Sequence, residues 1–274
     1  MTQPHLLVDR GDLEDVALLP GDPGRVDRIA SHCDEATTLT ENREYKVVNA
    51  SVGDRALTIC STGIGCPSAA IAIEELAAVG VETFIRVGTT GALQREIEIG
   101  DMIVATGAAK DEGTTRRYEH VEYPAVPDYE VLSALVEAAR VSEARVGGDE
   151  SSGEADDSSV KGDESSDRER ETNDSAGTVH VGPIVTDDAF YAETDEYVAD
   201  WETAGLLAVE MEAAAIFSLA RRKGLRAGAI CTVDGNLVEG TQKGVDTDEE
   251  ELPEKARDNV GRAIDIALEA AWMV

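Results

Sequence analysis

The stretch LLAVEMEAAAIFSLA (residues 206–220) decides how the chain is read. With Gly205 before it, GLLAV has the short apolar run of a strand, and MEAAAIFSLARRKG, directly after, reads as a helix. Strand passing into helix is the unit of an α/β protein. Only Glu210 and Glu212 interrupt the apolar character. An unpaired carboxylate is costly to bury, so such a pair is neutralised, hydrogen-bonded or functional, unless it lies at an edge where both acids reach water.

Outward from this stretch the same alternation recurs. VALLP (16–20) reads as a strand, and VVNASVGDRALTIC (47–60) as a hairpin turning at Gly53-Asp54. PSAAIAIEELAAVG (67–80) reads as a helix with Pro67 in its first turn and Gly80 at its C-terminal cap. TFIRVG, DMIVATGAA, VHVGPIV and LRAGAICTV are further strands; DYEVLSALVEAAR and the C-terminal PEKARDNVGRAIDIALEAAW are helices, the last amphipathic. The expectation is an α/β class: a single-domain α/β/α sandwich over residues 1–274 on a mixed central sheet, with ligands at the C-terminal ends of strands. One segment breaks the pattern. Residues 147–177 are almost wholly Ser, Asp, Glu and Gly, which cannot offset the entropy of ordering, so they are expected to form a disordered surface insertion, solvated rather than packed.

The formal net charge is −32, from 56 acidic and 24 basic residues, of which only six are Lys. The insertion accounts for −8 of it, so the acidity belongs to the whole chain. Such a surface repels phosphate backbones and anionic lipid, which argues against nucleic acid and membrane as partners. It suits a salt-rich, halophile-like cytosol, where screening shortens the repulsion. The four cysteines form no Cys-x-x-Cys pair and read as reduced thiols of a cytoplasmic protein. MTQPHLLVDRGDL lacks a secretory pattern, and no run reaches transmembrane length without charges. The four His stand apart from acid or thiol clusters, so no metal is expected.

Three segments read as anion-binding loops. PGDPGRVDRI places Gly21 and Arg25 after the first strand, where glycine permits close approach and arginine supplies charge. RVGTTGAL offers Arg86, then Gly88, Thr89, Thr90 and Gly91, whose amides and hydroxyls can cradle an oxyanion. ENREY sets Arg43 before a strand. A fourth loop, STGIGCPSAA, contains Gly63-x-Gly65-x-x-Ser68. It resembles a dinucleotide fingerprint, but Ser68 replaces the third glycine and Pro67 removes an amide, which argues against a Rossmann oxidoreductase.

GDPGRVDRI, NREY, STGIGCPS, IRVGTTGALQ, VEMEAAA and TVDG stand in the order found in the hexameric purine nucleoside phosphorylase and uridine phosphorylase family, and the chain resembles that family over nearly its whole length outside the insertion. The resemblance implies the nucleoside phosphorylase fold and phosphorolysis of a ribonucleoside to free base and ribose 1-phosphate. It implies a phosphate site of Gly21, Arg25, Arg86 and Thr89, with Arg43 reaching in from the neighbouring subunit. VEME would lie beneath the ribose: Glu212 on the 2′ and 3′ hydroxyls, Met211 against the sugar, Glu210 completing the floor. His5 would meet the 5′ hydroxyl from the adjacent subunit; without the resemblance it is an exposed His on a loose N-terminus. Phe190 matches the aromatic that stacks on the base, and otherwise reads as a core Phe; Thr90 and Gly91 would line the base and sugar side. No organic cofactor is implied. Glu44, Ile64 and Ser68 match positions where some uridine phosphorylases hold a monovalent cation between subunits.

The base divides the family. Overall similarity leans to uridine phosphorylases, yet their uracil-binding Gln and Arg fall where this chain has Thr194 and Glu196. Purine enzymes use an Asp near the end of the last strand toward N7, and Asp234 in TVDG fits it; alternatively Asp234 is a turn former before Gly235. The reading is therefore a phosphorylase leaning to guanosine or inosine, with Asp234, Arg86 and Glu212 carrying the chemistry and uridine as the alternative. Nucleoside hydrolases and a non-catalytic nucleoside-binding module are the other classes; the three arginines argue against the first and the intact constellation against the second. Sites shared through His5 and Arg43 imply a homo-oligomer, in this family usually a hexamer built as a trimer of dimers.

Overall fold

Apolar strands leave their backbone groups unpaired until they stack side by side. In the computed structural model, which describes residues 1–148, 177–241 and 254–274, all nine strands of the described residues do so in one mixed sheet. They are β1 (Val16–Leu19), β2 (Glu35–Asn42), β3 (Tyr45–Val52), β4 (Arg55–Cys60), β5 (Thr83–Ala92), β6 (Met102–Asp111), β7 (Val179–Asp187), β8 (Ala208–Glu210) and β9 (Arg226–Asn236). The order is β2-β3-β4-β1-β5-β8-β7-β6-β9, and β9 returns to pair in parallel with β5. The last five strands thus close into a ring, and β2–β3–β4–β1 extends from it as an open wing.

Among the described residues six α-helices cover the sheet: α1 (Pro23–Ser31), α2 (Cys66–Val79), α3 (Tyr129–Gly148), α4 (Asp195–Thr203), α5 (Ala213–Arg222) and α6 (Glu254–Ala271). Successive side chains of a strand point to opposite faces. On β5, Phe84 accordingly packs with Ile73 and Leu76 of α2 and Phe217 of α5, while Ile85 and Val87 pack with Val26 of α1, Val131 of α3 and Ile264 of α6. Two helical layers therefore enclose the sheet, giving the expected α/β/α sandwich.

The strands and helices expected from sequence are present, with four differences. β5 does not end at Gly88 but runs to Ala92, so GTTGA is strand rather than loop. The tract read as the strand GLLAV pairs only over Ala208–Glu210, and α5 begins at Ala213 with Glu212 at its N-cap position. β2 was not anticipated; it is an edge strand whose residues are almost all exposed and carry no apolar alternation. α1 and α4 are not expected from sequence either; PGDPGRVDRI reads as an anion-binding loop, although proline is well placed in a helix's first turn. Of the acidic stretch 147–177, residues 149–176 lie outside the described residues; Gly147 and Gly148 end α3. Among the described residues no helix is long and apolar enough to cross a membrane.

Candidate active site

Arg86 is the centre of the site. It lies on β5 level with Leu19 at the end of β1, and only 4 % of it is exposed. Its guanidinium folds back over Gly88, where a Cβ would press against it. Nε lies 2.8 Å from Glu210 Oε2 and Nη2 lies 2.5 Å from Glu212 Oε2; the Nε contact is an ion pair without hydrogen-bond alignment, and Nε and Nη1 are both buried with no hydrogen-bond partner among the described residues. The two acids are thus neither at an edge nor in water. They share one cation.

Their surroundings differ. Glu210 ends β8 and accepts from the Thr186 hydroxyl (2.6 Å) and from the backbone N–H groups of Glu212 (2.9 Å) and Ala213 (2.9 and 3.1 Å). These four contacts fill its acceptor capacity of about four positions, and Arg86 Nε beside it adds the opposite charge. It holds the turn that opens α5. Glu212 accepts from Gly65 N–H (2.5 Å) and pairs with Arg86, fewer donors among the described residues than Glu210 has, so it keeps acceptor capacity for neighbouring hydroxyls. Burial raises the Glu212 carboxyl above its ordinary range; Arg86 opposes this and Glu210 adds to it. Burial works against the Arg86 charge, but Glu212 and Glu210 more than offset it, so the guanidinium stays protonated.

Other expected residues gather round this trio. Gly63 N–H donates to Gly21 O (2.9 Å), tying the two glycine loops together beside Gly65 and so beside Glu212. The positive charge of Arg25 reaches Glu212 and lowers its pKa against the effect of burial. Met211, partly exposed, separates the two buried acids. Thr90 donates its hydroxyl to Val209 O (2.7 Å), and Gly91 pairs with Val209; Thr89, next to it, is partly exposed.

Asp234 is not in a turn. β5 and β9 pair Thr90 with Val233 and Gly91 with Gly235, so Asp234 is the extra residue of a β-bulge and is 5 % exposed. A bulge re-aims a side chain, and this one sits level with Thr90 and Gly91.

His5 and Arg43 stand elsewhere. His5 is not on a loose arm: its Nδ1 meets Glu75 Oε1 at 2.6 Å. Arg43 is exposed on the turn between β2 and β3 with φ of 58°. Phe190 occupies a 3₁₀ turn (Phe190–Ala192) beyond β7, its ring edge-on to Tyr191 at 5.0 Å. Glu44 and Ser68 lie together (3.3 Å) beside the outward-facing Ile64. Thr194 caps α4, its hydroxyl oxygen accepting from Tyr197 N–H (3.2 Å), and Glu196 is exposed in the first turn. Sequence reasoning missed Thr186 and Glu75, which carry no motif, and a group of Cys66, Glu112 and Asp188 whose ligand atoms lie within 4.8 Å of one another. That group contains no His. Glu112 already accepts from the backbone and hydroxyl of Thr115, and burial pushes the Cys66 thiol up, which disfavours a thiolate.

The ring-closed mixed sheet of this chain carries a buried Arg–Glu–Glu cluster beside two glycine loops, and known proteins resemble the chain over nearly its whole length. The phosphorylase superfamily model matches residues 15–271. The chain is 62 % identical over 268 residues to the guanosine phosphorylase of Halorubrum lacusprofundi, covering 98 % of this chain and 97 % of that one. It is 39 % identical to the uridine phosphorylase of Thermococcus kodakarensis (86 % and 78 % covered). The crystal structure of uridine phosphorylase from Vibrio fischeri superposes with a TM-score of 0.77 at 32 % identity, covering 98 % and 97 %. The chain belongs to the phosphorylase superfamily. Within it, the chain is a nucleoside phosphorylase, a pentosyltransferase.

Proposed function

We propose that the protein catalyses reversible phosphorolysis of a 6-oxopurine ribonucleoside, guanosine or inosine, to the free base and ribose 1-phosphate. The observation that carries this reading is the shared guanidinium of Arg86: it pairs with Glu210 and Glu212, and its buried Nη1 has no hydrogen-bond partner among the described residues, as a donor awaiting an anion would. Phosphate lies among Arg86, Arg25, Gly21 and Thr89, with Arg43 of a neighbouring subunit. Glu212 takes the 2′ and 3′ hydroxyls on its open acceptor positions, Met211 packs on the sugar, and Glu210 underlies both. His5 of the neighbour meets the 5′ hydroxyl; Phe190, Thr90 and Gly91 bound the base.

In the forward reaction a phosphate oxygen attacks C1′ as the C1′–N9 bond breaks, and the bonding pair leaves with the purine. The carboxylates below the ring favour the cationic sugar of the transition state, as in glycosidases. Asp234 donates a proton to N7, so the base departs neutral. The purine preference rests on Asp234 at its bulge and on Thr194 and Glu196, neither of which offers the amide and guanidinium that uracil needs. The named guanosine phosphorylase relative supports the same preference. Uridine is the second reading, supported by the relatives named uridine phosphorylase.

Shared residues make the working unit a homo-oligomer, a hexamer as a trimer of dimers, in a salt-rich cytoplasm. A monovalent cation at Glu44, Ile64 and Ser68 ties subunits together. The test is base release from guanosine, inosine, adenosine and uridine in high KCl, with and without phosphate. Phosphate-dependent purine release is expected. Dominant uridine cleavage overturns the base assignment, rates indifferent to phosphate indicate a hydrolase, and binding without turnover a non-catalytic module.

A further inference from the structure

The N-terminal arm is held by more dedicated side chains than a chain terminus needs. Glu75 of α2 is only 6 % exposed, yet it faces no cation from the core. It accepts instead from the backbone N–H groups of His5 (3.1 and 3.3 Å) and Leu6 (2.9 Å) and from the His5 ring at Nδ1 (2.6 Å). The carbonyls of the same two residues are also satisfied by side chains: Asn42 donates to His5 O and Thr40 to Leu6 O, both at 2.7 Å. Gln3 and Val8 close the arm into a loop, Leu6 and Val8 anchor it in the core, and Leu7 takes the left-handed backbone that a branched side chain rarely adopts (φ 56°). The imidazole itself is left a third exposed and edge-on to Tyr45.

This arrangement has a chemical consequence. A carboxylate only accepts, so Nδ1 facing Glu75 carries the hydrogen. A neutral imidazole has a single N–H, so its Nε2 is then a bare acceptor, fixed in direction by the Glu75 contact. Such a nitrogen matches a hydroxyl donor.

We propose that Glu75 is a positioning residue that fixes the tautomer and aim of His5, so that Nε2 accepts the 5′ hydroxyl of the nucleoside. The inference rests on the role given to His5 above, and the experiment separates the two. Guanosine and 5′-deoxyguanosine are compared in His5→Ala, Glu75→Gln and the double variant, with thermal unfolding followed in each. His5→Ala is expected to lower kcat/KM for guanosine about tenfold, the worth of one hydrogen bond, and to leave 5′-deoxyguanosine nearly unchanged. Glu75→Gln is expected to show the same substrate dependence and to add nothing to His5→Ala, because residues acting through one contact are not additive. Equal losses on both substrates with Glu75→Gln, or a further loss in the double variant, overturn the positioning role of Glu75. A His5→Ala that does not distinguish the two substrates overturns the His5 reading itself. Should Glu75→Gln fail to fold, the imidazole ¹⁵N shifts of the intact protein decide: an Nδ1–H tautomer is expected, and an Nε2–H tautomer refutes the proposal.

Discussion

Replacing Thr186 by Val asks whether the site depends on side chains that never meet substrate. Thr186 lies in the buried part of β7 and has no exposure. Its oxygen accepts from Ala214 N–H at 3.0 Å, in the first turn of α5, so its hydroxyl hydrogen is free to go to Glu210 Oε1 at 2.6 Å. Valine keeps the size and removes only that hydroxyl. A hydrogen bond to a charged group contributes about 1.5–3 kcal/mol, and a buried N–H left without an acceptor costs about 1–3 kcal/mol. The sum is about 2.5–6 kcal/mol. At about 2–4 °C per kcal/mol for a chain of this size, unfolding should fall by roughly 5–10 °C at the lower figure. Because Glu210 also holds Arg86, the KM for phosphate should rise several-fold while nucleoside affinity changes less. Thr186→Ser, which restores the hydroxyl, should recover both. Thermal unfolding in high KCl and initial rates against phosphate are the assays. A loss below about 1 kcal/mol with an unchanged phosphate KM would refute the argument.

Glu212→Gln should separate stability from activity. The folded-state pKa of Glu212 is raised, by burial first and by Glu210, against Arg86. Its contribution to stability is therefore complete below the ordinary carboxylate range and lost as pH climbs through the raised value. The Gln variant should lose this fall on the alkaline side, as well as most turnover; unfolding curves with the same pH slope in both proteins would contradict it. Asp234→Asn keeps the shape but cannot donate the proton, so guanosine turnover should drop about 10²–10⁴-fold and uridine far less, measured as base release. Equal effects on both bases would remove Asp234 from the base side. Gly88→Ala puts a methyl group against the Arg86 guanidinium and should raise the phosphate KM; an unaltered value would mean that Arg86 does not hold phosphate.

How much of this was legible in the sequence follows from the range of the forces involved. Local signals were enough for α2, with Pro67 and Gly80 at its ends, and for the hairpin at Gly53-Asp54. They failed for β2, which exists because β3 offers it an edge and not because its own residues alternate. The same limit applies within the site. The cost of burying Glu210 and Glu212 could be seen in VEME, but not what offsets it, because Arg86 lies on another strand and the Gly65 amide is 147 residues from Glu212. Nor does any motif mark Thr186 or Glu75, since each acts by accepting or donating to a partner chosen only by the fold. A threonine at the end of an apolar strand and a glutamate on a helix are common, and their neighbours alone give them a role. The asymmetry between the two acids follows from this. Glu210 is filled by donors from its own turn and β7 and serves the structure, whereas Glu212 keeps open acceptor positions and a raised pKa. A buried acid that the fold leaves partly unsatisfied is the one a ligand is expected to complete.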